Sequence, residues 1–169
     1  MSTKSPAAAP LSATISITTS ASPEAVWEAL TDVPRWPEVL PGVGSAHLEP
    51  DGALAPGAVI KTIALPGHNV VDMSYDVVSA EPIQRLVIQS SAQGYTARTA
   101  YDLSASKSSA HPHGTDVTAT AIVTPVTFRK RLLSSLGRPK INESIELSVR
   151  RRTTALLELA EKISAEQNS

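Results

Sequence analysis

Apolar and polar residues alternate with a period of two near the start of the chain. In "ATISITTSA", residues 13–21, Ile15, Ile17 and Thr19 alternate with Thr14, Ser16 and Thr18, which predicts a half-buried first strand. The period then changes. Ser22 followed by Pro23 is a helix start, a capping hydroxyl and then a proline where no amide donor is needed. Val26, Leu30 and Val33 share one helical face, widened by Trp27, and Pro34 ends the segment. A short turn carrying Trp36 fits before Pro37 and Pro41.

After Gly42 the period of two returns, predicting strands near 43–50, 57–65, 70–80, 84–92, 95–104 and 115–124. The connectors between most of them ("PGHN", "EP", "QG") are too short for parallel crossovers, so the strands form an antiparallel meander. Val71, Met73, Tyr75 and Val77 are expected on one face of the third of these. Tyr95, Ala97, Thr99, Tyr101 and Leu103 are expected on one face of the fifth, and Val117, Ala119, Ala121 and Val123 on one face of the last. The final segment switches to helical spacing. Ile141, Ile145, Val149, Leu156, Leu159 and Ile163 draw one stripe along a helix of about 24 residues, about 36 Å long. A stripe of that length needs an apolar surface to match, and the sheet offers it. The pattern therefore predicts an α+β fold. A curved antiparallel sheet of about seven strands wraps a long C-terminal helix, and two short helices after strand one close an end of the groove.

Length and composition narrow this further. The 169 residues suit one domain, expected over 13–165, with a flexible tail at 1–12 and a frayed end at 166–169. No cysteine is present, which removes disulfides, thiolate metal sites and a cysteine nucleophile, and fits a cytoplasmic setting. No apolar run reaches the roughly 18 residues of a membrane span, and the start lacks the apolar core of a signal peptide. Lysine and arginine total 15 against 16 acidic residues, so the balance does not suggest a nucleic-acid partner. Eight of the basic residues nevertheless fall between Phe128 and Arg152, against Glu143 and Glu146. With Phe128, Leu132, Leu133 and Leu136 they suggest either a lid on the sheet edge or weak contact with an anionic membrane surface. Neither a phosphate loop nor a zinc motif is present; no metal or cofactor is expected, and oligomeric state is not legible.

Three stretches carry a family resemblance. "SPEAVWEALTDVPRWPEVLPGV" (Ser22–Val43) holds both tryptophans among six aromatic residues and four of the thirteen prolines. With "YDVVSAEPIQRLV" (Tyr75–Val87) and "SVRRRTTALLELAEKI" (Ser148–Ile163), it resembles the START-like, or SRPBCC, superfamily in its polyketide cyclase/dehydrase-like branch. The likeness spans residues 13 to 165. It implies a helix-grip fold with a cavity between sheet and terminal helix that takes an apolar or amphipathic small molecule such as a lipid, a polyketide or a similar aromatic. Function varies widely on one fold, so the resemblance implies a substrate class and not an activity.

Candidate ligand-binding residues follow from type and position: Trp27 and Trp36 as stiff apolar walls, and His68 at a hairpin tip as a polar rim group. Met73, Tyr75, Tyr95 and Tyr101 stand on the strand faces with Val117 and Ala119; Val149 and Arg152 stand on the helix stripe. A guanidinium on that stripe needs a carboxylate, a ligand anion or an escape to water. Other polar residues read as structural. His111 and His113 lie in a serine-rich loop, His47 can face either way, Asp72 and Asp76 face solvent, and Arg98 and Asp102 can pair outward. The leading reading is a binding or transport module. The alternative is an aromatase/cyclase-type enzyme drawing on Trp36, His68, Tyr75, Tyr101 and Arg152. A second alternative is a peripheral membrane or assembly protein using 128–152. No catalytic residue is assigned.

Overall fold

The architecture follows from where the two periodicities change. A computed structural model describes residues 10–127, 129–130 and 137–169. The elements are β1 (Leu11–Thr19), α1 (Pro23–Thr31), a 3-10 helix (Val33–Glu38), β2 (Val43–Glu49), β3 (Val59–Ala64), β4 (Met73–Glu81), β5 (Arg85–Ala92), β6 (Tyr95–Ala105), β7 (Thr115–Pro125) and α2 (Arg138–Gln167). The seven strands form one antiparallel sheet in the order β1-β7-β6-β5-β4-β3-β2. The first strand therefore pairs with the last, Leu11 opposite Val123 and Ile15 opposite Ala119.

Alternation sets the two faces of that pair. Leu11, Ile15, Val117 and Ala119 point into the core. On the outer face Thr14 bonds Thr120 at 3.2 Å, Ser16 bonds Thr118 at 3.1 Å, and the Thr18 hydroxyl donates to Asp116 at 2.6 Å. The hydroxyl bond holds the Asp116 carboxyl below its usual range. On the inner face, α2 packs on β1, β7 and α1, while the 3-10 helix packs on β2.

The first helix starts as its residues dictate. The Ser22 hydroxyl accepts from Ala25 N at 3.2 Å, and Pro23 occupies the first turn. Ser22→Ala is expected to cost about 1 kcal/mol, read as a shift of the urea midpoint at unchanged slope. Asp32 then ends α1, its N–H returning to Glu28 O at 2.7 Å. Pro34 lies in the first turn of the 3-10 helix and Pro37 further along it, so Trp36 is carried into the core.

Several expectations shift. The tail expected at 1–12 falls mostly on residues 1–9, outside the described residues, and β1 begins by Leu11. The third predicted strand starts at Met73, not at 70. Val71 is exposed, because Asp72 turns back to accept from Ala64 N at 2.8 Å and closes the hairpin first. A register shift between Val77 and Ser79 follows in β4. Asp102 pairs with Arg85 at 3.0 Å across to β5, not with Arg98. Helix α2 spans 30 residues and stays helical to Gln167, so the expected frayed end begins later. Gln167 bonds Glu28 at 3.0 Å, tying that end to α1. Leu132, Leu133 and Leu136 lie outside the described residues, as does Phe128.

Candidate ligand-binding site

Helix α2 does not lie evenly on the sheet. Its C-terminal half is locked down, with Leu156, Leu159, Ala160 and Ile163 buried. Nearer the N-terminus, Ile141 and Ile145 are only half-buried and Ser144 is exposed, so the apolar stripe is satisfied along one half alone. There a cavity of about 290 Å³ opens between α2 and strands β6 and β7. Its floor is built from short side chains. Ala97 stands opposite Val123 and Thr99 opposite Ala121 on neighbouring strands, facing Ile145 and Val149. One strand-step further the residue is Tyr101, fully buried, and the space ends.

A second, larger hollow of about 730 Å³ runs between α2 and the segment after the 3-10 helix. Val39, Leu40, Pro41 and Val43 form one bank; Arg150, Arg151, Thr154 and Glu158 form the other. The tip of the β3–β4 hairpin reaches this hollow through Val70. Gly42 permits the approach: its φ is +80°, and a Cβ there would sit 2.6 Å from the Val70 side chain. Ser148 and Arg152 border both hollows.

Arg152 is the centre of the site. Its Nη2 donates to the Tyr75 hydroxyl at 2.5 Å. Its Cζ lies 4.7 Å from the centroid of the Tyr75 ring and 6.0 Å from that of Trp36. Trp36 is fixed in turn by its indole N–H, which donates to Ala29 O at 3.1 Å. Burial presses the guanidinium towards losing its proton, but Tyr75 and Tyr101 outweigh that effect, and its pKa moves upward. Arg152 stays charged. The Tyr101 phenol is pushed up by burial, against the pull of Arg152.

That phenol sets an alkaline limit. A neutral acid favoured by burial contributes stability below its unfolded pKa, about 10, which is lost as pH rises through the higher folded value. Stability is therefore expected to fall from about pH 10 upward, and Tyr101→Phe should flatten that part of a stability–pH profile.

Of the residues expected at a ligand site, Tyr101, Val149 and Arg152 line the inner hollow, while Trp36 and Tyr75 line neither hollow and touch it only through Arg152. The remaining candidates lie elsewhere. Trp27 is half-buried beside a separate pocket with Leu54 and Pro82, on the far side of α1 from Ala25 and Ala29. His68 is exposed on the hairpin tip and lines neither hollow. Met73 is half-buried opposite Thr62, and Tyr95 stands at the start of β6 with the Lys130 ammonium 5.0 Å above its ring. Val117 and Ala119 are sealed into the core. Not singled out as site residues beforehand were Ala97, Thr99 and Ala121 in the floor and Ser148 at the junction. Small residues at inward positions were the available signal. Among the described residues no group of three or more His, Cys, Asp or Glu could hold a metal ion, and no helix is long and apolar enough to cross a membrane.

Residues 10–129 match a family described as polyketide cyclase / dehydrase and lipid transport. The chain belongs to that family. Among curated protein sequences none matches significantly. Solved structures agree in fold at low identity. The di-domain ARO/CYC StfQ from the steffimycin biosynthetic pathway superposes with a TM-score of 0.70 at 12% identity, covering 94% of this chain and 52% of that one. TTHA0849 from Thermus thermophilus gives 0.68 at 14%, covering 90% and 99%. Ara h 8.0201 gives 0.66 at 12%, covering 91% and 99%. Such identities speak for fold alone. Together, family and fold support hydrophobic-ligand binding or polyketide-cyclase-type activity in general.

Proposed function

We propose that this protein binds or carries a small amphipathic molecule, such as a lipid, a polyketide or a similar aromatic. The guest lies between α2 and β6–β7 with its polar end at Arg152. The observation that carries this reading is the unfilled space under the N-terminal half of α2, floored by Ala97, Thr99 and Ala121 and ending at a charged side chain. Apolar walls with a few convergent polar groups are the usual form of a small-molecule site. Native mass spectrometry against a panel of fatty acids, polyketides and aromatics tests it. Retention of a subset at one-to-one stoichiometry is expected; a protein that retains none overturns the reading. Turnover of a poly-β-ketone thioester in the same samples separates a cyclase from a carrier.

A second reading concerns delivery. Leu65, Val70 and Val71 are exposed on the β3–β4 hairpin, and Leu147 is exposed one residue before Ser148. Leu147 shares helical spacing with Arg150, Arg151 and Thr154, which line the bank of the larger hollow. Exposed apolar tips beside arginines suit an anionic lipid surface. Co-sedimentation with phosphatidylserine vesicles should fall steeply between about 50 and 300 mM salt, where neutral vesicles bind little throughout. Equal binding to neutral vesicles defeats the electrostatic reading.

A further inference from the structure

Arg152 differs from the other arginines whose partners are visible. Arg35 bonds Glu38 and Glu166, Arg85 bonds Asp102, and Arg150 bonds Glu146, each at the surface. Arg152 is half-buried at the junction of two hollows, and among the described residues its one hydrogen bond goes to a neutral phenol and it has no ion pair. A guanidinium carries five N–H donors and keeps its charge at any physiological pH. Withdrawing it from bulk water without an anion is unfavourable. The Tyr75 ring 4.7 Å and the Trp36 ring 6.0 Å from its Cζ, with the Tyr75 hydroxyl taking one donor, position it before any guest arrives.

We propose that the guest is a carboxylic acid bound as its anion: Arg152 grips the carboxylate at the junction, Tyr75 holds the guanidinium in register, and the apolar body lies over Ala97, Thr99, Ala121 and Val123. This rests on the reading of the cavity as a ligand site and narrows it to one chemical class. The planar fork of a guanidinium matches a carboxylate through two parallel hydrogen bonds. A phosphate dianion fits the surroundings less well. Arg150 is already committed to Glu146, and Glu158 lines the same bank, which leaves Arg151 as the further cation there. The inner cavity, about 290 Å³, suits a compact body such as a two-ring aromatic.

Titration calorimetry with 2-naphthoate and 2-naphthamide, equal in shape and different in charge, tests the proposal on the full chain. The anion is expected to bind at least ten times more tightly than the amide. Arg152→Gln should erase that difference, and Arg152→Lys should restore part of it. Melting curves confirm that each variant is folded; should Arg152→Gln not fold, the anion-to-amide ratio of Arg152→Lys against wild type decides. Equal affinity of the wild type for anion and amide overturns the carboxylate assignment and leaves the cavity reading intact. So does a preference that survives Arg152→Gln. If neither probe binds and neither displaces a hydrophobic dye, the cavity reading falls and the assignment falls with it.

Discussion

Replacing Trp36 with alanine is expected to remove about 3–5 kcal/mol of stability, the largest loss from any single truncation in this chain. Trp36 is 1% exposed and heads the fully buried side chains by size. Three consequences add. The core loses the dispersion contacts of an indole and gains a cavity that the rigid 3-10 helix, stiffened by Pro34 and Pro37, cannot collapse to fill. The Ala29 carbonyl, in the last turn of α1, loses the indole N–H that serves it. Arg152 loses one of the two rings that flank it. Trp36→Phe separates these contributions: it keeps most of the volume and forfeits the hydrogen bond, so a loss nearer about 1–2 kcal/mol is expected. Urea unfolding measures both. A Trp36→Ala variant within about 1 kcal/mol of wild type would show that the corner is not structural, and its place beneath Arg152 would need another explanation.

The same residues show how much of the molecule is legible in its sequence. The antiparallel meander from β2 to β7 was accessible because short connectors force neighbours to be antiparallel, whereas the pairing of β1 with β7 was not, since no connector joins those two strands. The pairing of Trp36, Tyr75, Tyr101 and Arg152 was partly accessible, since each occupies an inward position on its own element. The separation of Trp27 from Trp36 was not. The two are nine positions apart in one segment. Which way each points depends on the change from α to 3-10 geometry at Asp32, a residue whose backbone departs from the helix without a residue type that demands it. Nor could the sequence place the open end of the groove. Every inward residue of α2 reads as one stripe. Whether that stripe touches the sheet is decided by the bulk opposite it, large at Tyr101 and small at Ala97 and Ala121. That comparison needs the register between strands, which periodicity alone does not supply.

Ser148→Trp is expected to reduce binding of any cavity ligand by at least about 100-fold, about 2.7 kcal/mol, without measurable loss of stability. Ser148 is exposed on α2, its hydroxyl bonding back to Ser144 O at 2.9 Å, and the position borders both hollows. Serine and tryptophan have similar helix propensities, and an exposed substitution away from packed neighbours changes stability by about 0.5 kcal/mol or less. Direction matters as much as size. A long side chain on a helix leans towards its N-terminus, so an indole at 148 projects over Ser144 and Ile145, where the inner cavity opens. Occlusion, not electrostatics, is therefore the cause, and the effect should be the same for 2-naphthoate and 2-naphthamide. Arg152→Gln should instead abolish the preference for the anion. The two variants thus separate shape from charge at one junction, measured by calorimetry beside a melting curve. Undiminished binding in a folded Ser148→Trp protein would mean that guests do not occupy the space between α2 and β6–β7.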